Sequence, residues 1–198
     1  MKKLKMTVLA IVASVSLFSF QTPSEAASTT HTVSKGESLW KVANRNGVSL
    51  VDLKAANKQT SNLIFVGQKL VIPNSFISAA DKDLLARLVS AEAKGESYAG
   101  KVAVATVILN RLSHPDFPNT VRGVIYQVES GHYAFTPVQN GAINQTADAD
   151  SKKAVNEALA FRGQGKGSVY FYNPNTSTSK WIFSREVTTT IGNHRFAK

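Results

Sequence analysis

Asp81-Lys-Asp-Leu-Leu-Ala-Arg-Leu-Val-Ser-Ala-Glu-Ala93 has the spacing of an amphipathic helix, with Leu84, Leu85, Leu88 and Val89 on one stripe. Glu92 follows Leu88 by four residues and Val89 by three, so it falls on that apolar stripe. A charged carboxylate on a buried face is costly unless paired, so burial there should raise its pKa. A carboxylic acid that keeps its proton near neutral pH is the donor a glycosidic leaving oxygen needs. The position equally suits an ion pair with Arg87 or Arg111. Gly95 ends the helix, and Glu96, one turn beyond Glu92, reads as a solvated or helix-capping residue.

Downstream, residues 98–112 form a second helix whose Val102, Ala103, Ala105, Val107, Ile108 and Leu109 leave hardly any polar face, which places it centrally. Pro115 and Pro118 break the chain. Residues 120–128 read as a short helix with Val121, Val124, Ile125 and Val128 inward, and residues 130–137 as a loop dense in aromatics. Residues 150–161 form another helix, with Ala154, Val155, Ala158 and Leu159 inward. Residues 168–172 read as a strand, ended by Asn173-Pro174, with 181–184 and 188–191 as its partners. Residues 81–198 are thus several helices followed by a small sheet.

Upstream, residues 31–74 form a block with its own pattern. A strand at His31-Thr-Val33 leads to a turn at Lys35-Gly-Glu37, and Ser38 caps a helix that stops at Asn46-Gly47. Ser49 caps a second helix carrying Leu50, Leu53 and Ala56, and residues 69–72 make a closing strand before Pro73. Trp40 and Leu53 read as core. Residues 27–30 read as a flexible tail and 75–80 as a linker. The fold class is α+β: a small βααβ module and a mainly helical domain with a small C-terminal sheet.

The first residues bear on compartment. Lys2, Lys3 and Lys5 precede the largely apolar 6–20, and Ser24-Glu25-Ala26 offers a cleavage site, the layout of a secretory signal peptide over residues 1–26. The chain has no cysteine, which excludes a thiol nucleophile, a Cys-ligated metal and a lipid-anchored cysteine, and fits a bacterial export product. The net charge is +10, and losing three lysines and one glutamate with residues 1–26 leaves +8. Such a chain attracts polyanions. Its basic residues are scattered rather than striped, so nucleic acid is not the expected partner, whereas anionic wall polymers are. A membrane is met only through the signal peptide.

Two stretches carry resemblances. His31-Thr-Val-Ser-Lys-Gly-Glu-Ser-Leu-Trp40, Leu53-Lys-Ala-Ala-Asn57 and Ile64-Phe-Val-Gly-Gln-Lys-Leu-Val-Ile-Pro73 resemble a LysM domain, spanning residues 31–74. The resemblance implies binding of N-acetylglucosamine-containing glycans through Gly36, Glu37, Ser38 and Leu39 on one wall of a groove and Asn62, Ile64, Phe65 and Val66 on the other. Ala91-Glu-Ala-Lys-Gly-Glu-Ser-Tyr-Ala-Gly-Lys-Val-Ala-Val-Ala-Thr-Val-Ile-Leu-Asn-Arg111, Phe135-Thr-Pro-Val-Gln-Asn-Gly-Ala-Ile143, Tyr170-Phe-Tyr-Asn-Pro174 and Ile191-Gly-Asn-His-Arg-Phe196 resemble the spore cortex-lytic, SleB/CwlJ-type cell-wall hydrolases over residues 81–198. That resemblance implies a lysozyme-like helical fold around one catalytic glutamate, which maps onto Glu92. Ser90-Ala91 and His132-Tyr133-Ala134 depart from the commoner family pattern, and both flank the cleft the resemblance implies.

The expected activity is therefore cleavage of the MurNAc–GlcNAc backbone by a secreted, wall-associated lytic transglycosylase, with peptidoglycan glycan strands as partner and neither metal nor cofactor. Tyr133, Phe135, Tyr172 and Trp181 are the candidates for stacking on sugar rings, and Asn140, Asn173 and His194 for hydrogen bonding. Each has a packing alternative, and Asn140-Gly141 also reads as a turn. An N-acetylmuramoyl-L-alanine amidase would need converging metal ligands, and His31, His114, His132 and His194 include no short-spaced pair. A non-catalytic wall-binding protein would be indifferent to the loss of Glu92. No Gly-x-Ser-x-Gly elbow supports a serine hydrolase. The residues fit a vegetative wall and a spore cortex equally.

Overall fold

The computed structural model describes residues 29–198, so the signal-peptide reading of residues 1–26 lies outside the described residues. The N-terminal module is β1 (Thr29–Thr32), α1 (Leu39–Asn46), α2 (Leu50–Ala56) and β2 (Lys69–Ile72). Its helix ends follow from local chemistry. The Ser38 hydroxyl accepts the Lys41 N–H at 3.2 Å, and Ser49 accepts those of Val51 and Asp52. Gly47 closes α1 at φ 57°, a conformation a Cβ would strain. β1 and β2 pair antiparallel from Thr29↔Ile72 to Thr32↔Lys69. Thr29 and Thr30 are therefore strand rather than flexible tail, held by the β2 edge.

The larger domain contains α3 (Ala79–Glu92), α4 (Tyr98–Arg111), α5 (Val121–Ile125), β3 (Val128–Glu129), β4 (His132–Tyr133), α6 (Thr136–Gln139), α7 (Ala149–Phe161), β5 (Tyr170–Tyr172), β6 (Val187–Ile191) and β7 (His194–Ala197), with 3-10 turns at Ala142–Asn144 and Ile182–Ser184. α3, α4, α5 and α7 enclose one core in which Leu85, Leu88, Val89, Val107, Ile108, Ile125 and Leu159 are buried. The sheet order is β5-β7-β6, antiparallel throughout, and Phe196 of the middle strand plugs into the helical core.

Four sequence readings need correction. α3 starts at Ala79, because Ser78 caps it by accepting the Asp81 N–H. Residues 75–80 are not a loose linker: Ile77 is buried, Phe76 lies under the Arg162 guanidinium at 3.4 Å, and Ser75 bonds the Gly47 carbonyl. Residues 182–184 form a 3-10 turn rather than a strand, and the partner of β5 is β7, which only long-range pairing reveals. Val128, read as inward on a helix, is exposed on the β3–β4 hairpin.

Asp148 caps α7, accepting the Ser151 N–H at 2.7 Å, and ties it to α3 and α4 through the Ser90 hydroxyl at 3.0 Å and the Lys101 ammonium at 2.9 Å. Partial burial works to raise its pKa, but Lys101 and the hydrogen bonds to Ser151 and Ser90 outweigh it and hold the carboxyl well below the usual range. The lowered pKa makes its contribution complete above the ordinary aspartate value and progressively lost as pH falls through the folded-state value. Asp148→Ala should cost about 1 kcal/mol, typical of a lost N-cap, read as a lower urea midpoint at neutral pH.

Candidate active site

Glu92 is the last residue of α3, directly after the stripe formed by Leu85, Leu88 and Val89. Burial pushes its carboxyl to about 7, and only the positive charge of Arg111 pulls the other way. The C-terminal end of a helix dipole acts in the same direction as burial. Neither arginine considered as an ion-pair partner provides one. Arg87 lies 3.1 Å from Asp83 and donates to the Ile143 carbonyl.

Arg111 is only 8 % exposed and donates from Nε to the Val169 carbonyl at 2.7 Å. Its guanidinium carbon sits 4.7, 5.3 and 5.8 Å from the ring centres of Phe117, Phe135 and Tyr170. Among the described residues no carboxylate lies within ion-pair distance of it, although the charges of Glu129 and Glu92 both reach it. Burial draws its pKa down to about 10, against the charges of Tyr170, Glu129 and Glu92. The sequence offered one signal for this cation: a charge closing an otherwise apolar helix.

Glu96 is neither solvated nor a cap. Its side chain is 8 % exposed and accepts the Asn193 side-chain and backbone N–H groups at 3.0 and 3.3 Å, with His194 Nδ1 3.9 Å away. It thereby fastens the β6–β7 turn to the α3–α4 loop, just after Glu92. Gly192, at φ 57°, is required there because a Cβ would overlap the Glu96 carboxylate. The cap of α4 is Ser97.

The predicted sugar-contacting residues divide. Trp181 and Tyr133 are about half exposed, at 50 % and 46 %. Trp181 meets Tyr170 edge-on at 5.1 Å and lies under the Arg185 guanidinium at 4.2 Å. Phe135 is buried and stacks on Phe171 at 6.3 Å, so it supports the Arg111 cluster rather than forming a surface platform. Tyr172 is buried, its hydroxyl without a partner among the described residues, edge-on to Phe183. Asn140 and Asn173 each turn their side-chain oxygen onto the backbone N–H two residues on, making Asx turns. His194 packs edge-on against Phe171 beside Glu96. Contacts thus link Arg111, Phe135, Tyr170 and Trp181, and the Arg111 charge reaches Glu92; Tyr170 and Arg185 are members that sequence reasoning missed.

In the N-terminal module, Gly36 makes the exposed turn at φ 81°. Glu37 is an organiser: it accepts the Ser34 N–H, bonds His31 at 2.7 Å and pairs with Arg45. The Ser34 N–H and His31 are the main reasons its pKa falls to about 2. Ser38 is committed to capping α1, and Leu39 is core, so its side chain offers no surface. Opposite, Phe65, Val66 and the unpredicted Leu63 are exposed, Ile64 packs inward, and Asn62 accepts from Lys54. With the Glu37 carboxylate paired, this wall is apolar. Glu37→Gln should loosen the turn and reduce retention on purified peptidoglycan, measured by co-sedimentation, with the fold of the larger domain intact.

Comparison with known proteins bears on both parts. The family described as Cell Wall Hydrolase matches residues 95–197, and the LysM domain matches residues 31–73. Glu92 lies three residues ahead of the first match. A spore cortex-lytic enzyme of Halalkalibacterium halodurans is 47 % identical over 116 residues, which are 59 % of this chain and 34 % of that protein. That of Bacillus cereus is 44 % identical over 127 residues, 64 % of this chain and 47 % of that protein. The chain therefore spans less than half the length of these curated relatives. The catalytic domain of the germination-specific lytic transglycosylase SleB from Bacillus anthracis superposes with a TM-score of 0.57 at 43 % identity, covering 64 % of this chain and all of that domain. With a match over more than half its length, this chain belongs to the cell wall hydrolase family, and it carries a LysM domain ahead of that match.

Proposed function

We propose that this protein is a secreted, wall-associated enzyme that cuts the MurNAc–GlcNAc bond of peptidoglycan as a lytic transglycosylase, in wall or spore-cortex remodelling. The observation that carries this reading is Glu92: a carboxyl held protonated to about pH 7, unpaired among the described residues, and within reach of the charge of the Arg111 cation–aromatic cluster. Glu92 gives its proton to the oxygen leaving C1 of the muramic residue as the C1–O bond breaks. The neighbouring acetamido group stabilises the oxocarbenium-like centre. The Glu92 carboxylate, stabilised by the Arg111 charge, then takes the proton of the C6 hydroxyl as O6 bonds to C1, closing a 1,6-anhydro ring. One carboxyl serves both steps, and intramolecular attack gains from proximity. Glu96 is unavailable as a second acid because both its oxygens are engaged by the β6–β7 turn. Trp181 and Tyr133 supply half-exposed rings for the sugar faces, and the Leu63–Phe65–Val66 surface of the LysM domain holds the strand.

A second reading rests on Glu129, the other carboxylate whose charge reaches Arg111. If it activates water, the enzyme is a two-carboxylate hydrolase. Release of soluble fragments from purified peptidoglycan separates the two. The transglycosylase reading requires Glu129→Gln to keep the wild-type rate, and loss of activity there favours hydrolysis.

A further inference from the structure

The LysM domain is seated on the catalytic domain, and α7 belongs to both. Ala160 lies in the LysM core, Trp40 packs on Phe161 at 4.3 Å between ring centres, and the Gly47 carbonyl accepts from Ser75 and Lys82. Next to this seam, Ser49 donates to the Arg162 carbonyl and Asp52 pairs with the Arg162 guanidinium at 3.4 Å. Here a crevice of about 340 Å³ opens between the two domains, bordered by Val51, Asp52 and Arg162 on one side and Asn110, Ser113 and His114 on the other. Its volume is that of a small-ligand pocket.

We infer that this seam crevice is a saccharide subsite that carries the glycan strand between the LysM groove and the catalytic cluster. Residues at its borders neighbour residues that lead to each site. Val51 and Lys54 are one turn apart on α2, and Lys54 bonds Asn62 of the LysM groove wall. At the other end, Ser113 and His114 also border the hollow that contains Phe117, the ring against Arg111. The chemistry suits an N-acetylated sugar. Val51 is 51 % exposed and gives an apolar wall for a ring face. His114 Nδ1 accepts the Asp116 N–H, leaving Nε2 as a donor, and Asn110 gives its N–H to Ser168, leaving its amide oxygen as an acceptor. A fixed seam would set the distance along the strand between the anchored sugar and the cut.

The inference takes the identity of the strand from the proposed function, but binding tests it independently of cleavage. In a Glu92→Gln background, affinity for peptide-free glycan strands, short and long, is measured by fluorescence anisotropy with Val51→Glu and with His114→Ala added. Both sites are solvent-accessible, and melting curves verify the fold. Short oligomers that fill the LysM groove alone should bind all three proteins equally. Long strands should bind each added variant about tenfold more weakly. Unchanged affinity for long strands, or equal loss for short and long, overturns the subsite. Failure of the wild type to cut glycan would instead show in a digest, leaving this readout unaffected.

Discussion

Glu92→Gln should abolish release of soluble fragments from purified peptidoglycan and, above pH 7, make the protein more stable. Loss of a positioned acid costs about 10²- to 10⁴-fold in rate, and here the same group also serves as base, so the upper end is expected. The stability gain follows from the sign of the pKa shift. The folded protein holds the Glu92 proton up to about pH 7, whereas an ordinary glutamate releases it near 4.5. Between those values the native state binds more protons than the unfolded state, so stability falls as pH rises and the whole loss is felt above 7. The loss is about 2 kcal/mol after allowance for the carboxyl's partial access to solvent. Glutamine carries no charge at any pH and escapes it. Calorimetry should find the variant melting higher than wild type at pH 8 and alike at pH 4. Wild-type activity, which needs the protonated acid, should decline as pH rises through about 7.

Arg111→Met should remove most of the activity at neutral pH with little change in stability, and extend the residual activity to higher pH. Two opposing magnitudes decide the stability. Removing the guanidinium forfeits a charged hydrogen bond to Val169, about 1.5–3 kcal/mol, and contacts with three rings. It also removes a cation whose burial lowers its pKa to about 10, which corresponds to about 3 kcal/mol. These nearly cancel, and the methionine side chain retains most of the packing, so the melting temperature should move by only a few degrees. Arg111 also counteracts the rise in the Glu92 pKa, so without it the carboxyl holds its proton to higher pH and becomes harder to deprotonate. The alkaline limb of the rate profile should shift upward and the neutral rate fall. A large drop in melting temperature with an unshifted limb would make Arg111 purely structural.

What was legible in the sequence was what depends on neighbours a few residues away. The caps at Ser38 and Ser49, the stop at Gly47 and the stripe of Leu84, Leu85, Leu88 and Val89 are local, and the structure places them as read. Glu92 stood out because its helical position and its chemistry conflict. Features set by distant contacts were not legible. Phe135 reads as a loop aromatic but is buried by Phe171 and Arg111. Glu96 resembles a helix-end acid until the turn at Asn193, 97 residues on, closes over it. The pairing of β7 between β5 and β6 and the seating of the LysM domain on α7 depend on partners that periodicity does not name.

The most direct measurement is the end group on the glycan fragments that the chain from Ala27 onward releases from peptidoglycan. Mass spectrometry should find muramic residues closed as 1,6-anhydro rings, resistant to borohydride reduction, and none in a parallel Glu92→Gln digest. Reducible muramic ends, or free stem peptides on uncut strands, would contradict the transglycosylase reading.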